Sequence, residues 1–174
     1  MVNTFEGLLA LLVAKEVRFA LVGGLAVSLN GFVRTTEDMD ILVDDHPSNL
    51  QNLLNCLAEF GEGYARELAP ADFVDEEGAI RIREDFDLDV FVRMSGRKYQ
   101  DLTADIQFHE TTDGTRVPYL SAAGLIRLKE NSHREKDLLD VAALKRTAAE
   151  MDKLRRIPSL DSLRSVSGES PENP

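Results

Sequence analysis

The sequence predicts an α+β protein, a mixed β-sheet with helices packed mainly on one face. Two observations carry this. Segments of helical and strand-like spacing follow one another as helix, strand, helix, strand, helix, strands, helices, rather than in strict alternation. The composition, 43% hydrophobic over 174 residues, is enough to bury one core. No internal repeat is apparent. Residues 1–155 read as one domain, and 156–174, rich in Ser, Pro and Glu from Pro158 onward, as a mobile tail.

The elements follow in order. Residues 3–15 form an amphipathic helix with Phe5, Leu8, Leu9 and Leu12 on one face. Arg18 to Val22 is the first strand, and it ends in Gly23-Gly24, after which a short helix begins. A polar turn leads to a second strand, where Asp38 and Asp40 precede the apolar run Ile41, Leu42 and Val43. Such a run suits a strand buried on both faces. Pro47 starts a helix, where its missing amide costs nothing, and Leu50, Leu53, Leu54, Leu57 and Phe60 recur at helical spacing. Gly61 and Gly63 end it.

Residues 64–78, broken by Pro70 and rich in acid, read as a loop or weak strand. Ala79 to Glu84 alternates, with Ile80 and Ile82 on one face and Arg81 and Arg83 on the other. Phe86 to Val92 is a further strand, carrying Asp87 and Asp89 on the same side. Asp113-Gly114 marks a tight turn between Ile106–Phe108 and Arg116–Leu120. Ser121 caps a helix reaching about Asn131, and a last helix runs from Arg134 to about Leu154.

Chemistry concentrates in residues 18–44. Side chains two apart on a strand point to the same side, so Asp38 and Asp40 place two carboxylates together. They repel unless a cation lies between them, and charges entering a buried strand are costly unless paired or bound to metal. The glycine pair lets backbone amides approach an anion. Together these are parts for holding a magnesium–triphosphate. Either acid of the strand F-D-L-D-V-F-V could supply a third carboxylate. Asp89 is favoured over Asp87 by its apolar flank. Lys129 shares a helical face with Leu125 and Ile126, so its ammonium snorkels to solvent or enters a site.

Gly23-Gly24, Arg34-Thr35-Thr36 and Asp38-x-Asp40 resemble the signature of the nucleotidyltransferase superfamily, with its polymerase-beta-like fold. Lys129 followed by Arg134-x-Lys136-Asp137 is similar to a run in the bacterial abortive-infection nucleotidyltransferases, some of which are toxins of toxin–antitoxin pairs. The resemblance covers roughly residues 15–145. It implies transfer of a nucleoside monophosphate from a nucleoside triphosphate to a hydroxyl, with Mg2+ on Asp38, Asp40 and Asp89. It adds Lys129 and Asp137 to the site, the latter alternatively serving only the helix dipole. Gly23, Gly24 and Thr36 would contact the nucleotide. The second glycine replaces a common serine, leaving phosphate contact to amides and Ser28. Arg34 either binds a phosphate or pairs with Glu37 or Asp38. If Lys129 serves charge rather than packing, Lys129→Ala should leave the melting temperature nearly unchanged. The acceptor is left open between an RNA 3′ end, a protein hydroxyl and a small molecule. A cognate toxin or antitoxin is an implied partner, and a non-catalytic binding module is the alternative.

Other classes find little support. The net charge of −11, from 31 acidic and 20 basic residues, speaks against an extended nucleic-acid surface. His46, His109 and His133 lack metal-ligand spacing, and no phosphate loop or serine nucleophile elbow is present. Cys56 falls on an apolar helix face and has no partner for a disulfide within the chain. The run Leu8 to Ala14 is too short to span a membrane, and the expectation is a cytoplasmic protein.

Overall fold

The computed structural model describes residues 4–33 and 35–155. Thr4 caps the first helix, α1 (Phe5–Ala14), by accepting from the Gly7 amide. The first apolar run becomes β1 (Phe19–Leu21), with all three residues buried. It leads into α2 (Gly23–Leu29) and then β2 (Asp38–Val43). Next come α3 (Pro47–Glu59), β3 (Ala79–Arg83) and β4 (Asp87–Phe91). A small ribbon, β5 (Arg93–Met94) and β6 (Arg97–Lys98), precedes β7 (Ile106–Glu110) and β8 (Arg116–Leu120). The described residues end in α4 (Ala122–Lys129) and α5 (Glu135–Arg155). The expected tail lies outside the described residues.

Six strands form one mixed sheet in the order β3-β4-β2-β1-β8-β7. β2 runs antiparallel to β1 and parallel to β4, and β8 runs parallel to β1. Two antiparallel pairs, β3–β4 and β7–β8, complete the sheet at its edges. The expected α+β mixed sheet is therefore present. Helix α2 packs against β2 and α4, α4 packs against α5, and α1 contacts α3 and β8.

The central strands are apolar because both of their faces are covered. Met39, Ile41, Leu42 and Val43 are fully buried. Each such side chain contributes about 1.5–3 kcal/mol of burial. Cys56 lies in this core, where burial pushes its thiol up to about 11, as suits an unreactive packing residue. Buried Asn49 fastens α3 to the strand ends. It accepts from the Arg18 amide and donates to the Arg18 and Asp44 carbonyls.

Two features were not anticipated. Residues 64–78 contain 3-10 turns at Tyr64–Glu67 and Pro70–Asp72. The β5–β6 ribbon turns at Ser95 and Gly96, both at positive φ (52° and 74°), which suits a tight two-residue hairpin. The Glu77 carboxylate accepts from both of their amides, fastening the ribbon to the segment that enters β3.

Candidate functional site

The register of three neighbouring strands builds the site. Asp38 lies opposite Asp87, and Asp40 opposite Asp89, across the parallel β2–β4 ladder. Arg81 lies opposite Asp89 across the antiparallel β3–β4 ladder. Arg83 lies opposite Asp87 in the same ladder, and paired residues project to the same face, so four carboxylates and two guanidinium groups share one patch of sheet.

A cleft of about 430 Å³ opens over this patch. Its floor includes Asp38, Asp40, Asp89 and Arg81, and Lys129, Arg134, Lys136 and Asp137 line another part. Phe91, Met94, Leu125 and Leu128 supply apolar surface. Asp87 is beside the floor but is not among the lining residues, so the structure brings Asp89, rather than Asp87, to the cleft.

Asp40 sits against the glycine pair. The Gly24 amide donates to its carboxylate. Gly23 has φ +59°, and a Cβ there would overlap the carboxylate and come 2.8 Å from the Asp40 Cβ. Glycine is required at this position both by the left-handed backbone and by this close approach. Gly23→Ala should destabilise the fold by about 1–2 kcal/mol and push Asp40 out of line. Calorimetry should then show weakened divalent-cation binding, and unchanged binding would remove Gly23 from the site.

Burial raises the Asp40 carboxyl above its ordinary value, and the charges of Asp89 and Asp38 add to the rise. The Gly24 amide and the Lys129 charge oppose it only in part. An acid raised by its neighbours' charges is relieved by a cation. An all-oxygen donor set suits magnesium better than a softer metal.

The assembly is nevertheless incomplete as it stands. Among the described residues, no group of three or more His, Cys, Asp or Glu is drawn together so that it could hold a metal ion. Arg81 engages one of the cleft's carboxylates. Its Nε and Nη2 grip Asp89 Oδ1 and Oδ2 at 2.8 and 2.7 Å. Its Nη1 bonds Asp87 at 3.0 Å, and Nη2 lies 3.6 Å from Asp38. Asp89 is only 7% exposed. The bonds to Asp89, and then its charge, hold the guanidinium above its ordinary pKa. Asp38 and Asp40 thus fit a divalent cation by chemistry and placement, whereas Asp89 is engaged elsewhere.

The wall opposite is also paired. Lys129 Nζ donates to Asp137 Oδ1 at 2.5 Å and to Asp140 Oδ2 at 2.9 Å. Those acids are 4% and 2% exposed. Burial alone would raise the Asp137 carboxyl. Hydrogen bonds from Lys129, Ser132 and Arg134 outweigh it and bring the group down to about 2. Its contribution to stability is therefore complete above the ordinary carboxylate range and is lost as pH falls towards 2. Asp137 here holds Lys129 in place, which goes beyond a charge at a helix start. Lys136 is exposed at the cleft.

The remaining expected contacts divide. Thr36 lines the cleft, with its hydroxyl donated to the Asp38 carbonyl at 3.0 Å. Ser28 is in the last turn of α2 and is not among the lining residues. Arg34 lies outside the described residues. Arg81 and Asp140 were missed by the sequence reading. A signal for Arg81 existed: only Glu84-Asp85-Phe86 separates the two strands, and reading them as a hairpin sets Arg81 against Asp89.

No protein-family model matches the sequence, and no curated protein matches it. Solved structures do. TM1012 from Thermotoga maritima, provisionally described as a nucleotidyltransferase, superposes with a TM-score of 0.50 at 17% identity, covering 86% of this chain and 89% of that one. The lincosamide antibiotic adenylyltransferase LnuA, solved with lincomycin bound, gives 0.53 at 19% identity, covering 83% and 98%. The chain therefore has a nucleotidyltransferase-like fold. No helix among the described residues is long and apolar enough to cross a membrane.

Proposed function

We propose that this protein is a nucleotidyltransferase that moves a nucleoside monophosphate from a nucleoside triphosphate to a hydroxyl. The observation that carries this is the carboxylate pair Asp38 and Asp40 on β2, set in register with Asp89 on β4 and packed against Gly23. The likeness of fold to an adenylyltransferase supports it.

In this reading the acceptor oxygen attacks the α-phosphorus, the bond to the bridging oxygen breaks, and pyrophosphate leaves. Magnesium held by Asp38 and Asp40 would neutralise charge on the triphosphate. Asp89, once released from Arg81, receives the hydroxyl proton. Lys136 and Arg134 meet the triphosphate, while Lys129, held by Asp137 and Asp140, keeps a fixed positive charge beside Asp40. Gly23 and Thr36 shape the wall next to the nucleotide. Positioning and fixed charge supply the acceleration. We read residues 1–155 as one domain acting in the cytoplasm.

The run from Lys129 to Asp137 favours the abortive-infection branch, and with it a role in a toxin–antitoxin pair. The small-molecule acceptor remains in play because LnuA is an antibiotic adenylyltransferase. One observation favours a second reading: Arg81 neutralises the carboxylates as a fixed residue would in a non-catalytic module that binds a partner protein. The test is incubation with each labelled triphosphate and magnesium, offering total RNA, candidate partner proteins and small hydroxylated molecules. Label transfer to one acceptor class that disappears in Asp40→Asn establishes the enzyme. No transfer to any of them, with a stable complex formed with a partner, establishes the module.

A further inference from the structure

Arg81 stands where the chemistry of the site is contested. Its planar fork occupies both oxygens of Asp89, and the same guanidinium reaches Asp87 and Asp38. A bidentate pairing of this kind is geometrically specific and stronger than a point-charge contact. A divalent cation held by Asp38, Asp40 and Asp89 would need an Asp89 oxygen that Arg81 now holds. Two cations also repel at this separation. Both cannot have Asp89 at once.

The guanidinium has somewhere to go. β3 is an edge strand, held to the sheet by β4 alone. The Arg81 side chain is 42% exposed. It borders a second cavity, of about 580 Å³, on the outer side of the edge, lined also by Tyr64, Glu67, Leu68 and Arg83. Glu67 offers a carboxylate there. A rotation of this side chain about its own bonds transfers its charge from the cleft to the outer cavity without any movement of the sheet.

We propose that Arg81 is an exchangeable internal cation. It holds Asp89 until a divalent cation takes its place, and Asp89 joins Asp38 and Asp40 only when Arg81 swings outward over the β3 edge. Arg81 is a positioning residue, acting through Asp89. The inference rests on the reading of Asp38, Asp40 and Asp89 as a metal site, and it adds that the site is closed by the chain's own arginine. The exchange replaces the single charge of the guanidinium with the two of a divalent cation, so the four carboxylates are not left to repel one another.

The test is Mn2+ binding to the full chain by calorimetry, comparing wild type with Arg81→Gln, Arg81→Lys and Asp40→Asn. Arg81→Gln should bind Mn2+ about tenfold more tightly or better, and Arg81→Lys, which keeps the charge and loses the fork, should also bind more tightly than wild type. Melting in EDTA verifies that each variant is folded, and Arg81→Lys carries the comparison should Arg81→Gln fail to fold. In 15N-edited spectra with Mg2+, the Arg81 Nε–H should leave its hydrogen-bonded position as the cation binds. Equal affinity in wild type and both Arg81 variants, with binding still lost in Asp40→Asn, overturns the exchange and leaves the metal reading standing. Tighter binding in Arg81→Gln alone shows simple charge repulsion and also overturns it. Absence of Mn2+ binding in every chain overturns both.

Discussion

Lys129→Ala should cost the protein roughly 3–5 kcal/mol of stability, read as a lower midpoint in chemical denaturation. Its ammonium is the shared partner of Asp137 and Asp140, and both acids are almost wholly buried. Removing it takes a charged partner from each of two buried acids, with Ser132 and Arg134 still bonded to Asp137. The sequence alone led to the opposite expectation, a nearly unchanged melting temperature, because nothing in the helical pattern reveals two buried acids on the next helix. Adding Asp140→Asn to Lys129→Ala should recover part of the loss by removing one of the two buried charges. A midpoint equal to wild type in the single variant would show that water reaches the two acids and that the pairing contributes nothing.

Asp40→Asn should give the converse result, with transfer reduced by about a thousandfold, roughly 4 kcal/mol of transition-state stabilisation, and no loss of stability. Asparagine can still accept from the Gly24 amide and no longer repels Asp38 and Asp89. The pH dependence has a definite sign. The folded carboxyl is raised above its ordinary 3.8. Between that value and the raised one the folded state holds the proton more tightly, so stability falls as pH rises through the window. The full cost remains above it. The stability advantage of Asp40→Asn should therefore grow from about pH 4 upward and level off above the raised value. Thermal melts across that range measure it. An advantage that shrinks with rising pH would show that the carboxylate is stabilised where it lies.

The sequence and the structure agree best where local pattern is strong. The apolar runs of β1 and β2, the proline-started α3 and the alternation of β3 are visible to within a residue or two. The pairing of Asp38 with Asp40 follows from strand geometry alone. The side chain that occupies the site was not visible, because Arg81 meets Asp89 only through a ladder between two segments that were read separately. The β5–β6 ribbon escaped for a different reason: two-residue strands are too short to show a period, and only Ser95-Gly96 hinted at a turn. The helical face of Lys129 left it open between solvent and a site, and its partners lie on α5, where spacing within α4 carries no information.

The sheet order also dictates a sequence of assembly. β1, β2, β3 and β4, with the carboxylates and Arg81, all lie before Val92, whereas β8 joins beside β1 by pairing Leu21 with Tyr119. Contacts so distant along a chain form late and slowly. During synthesis the acidic half of the cleft can therefore emerge and pair while the segment that supplies Lys129 and its two acids is still inside the ribosome. In that interval Arg81 is the counter-charge that lets the aspartate-bearing strands lie side by side. The nascent chain gains its basic wall, and with it a complete cleft, only when its last helices dock.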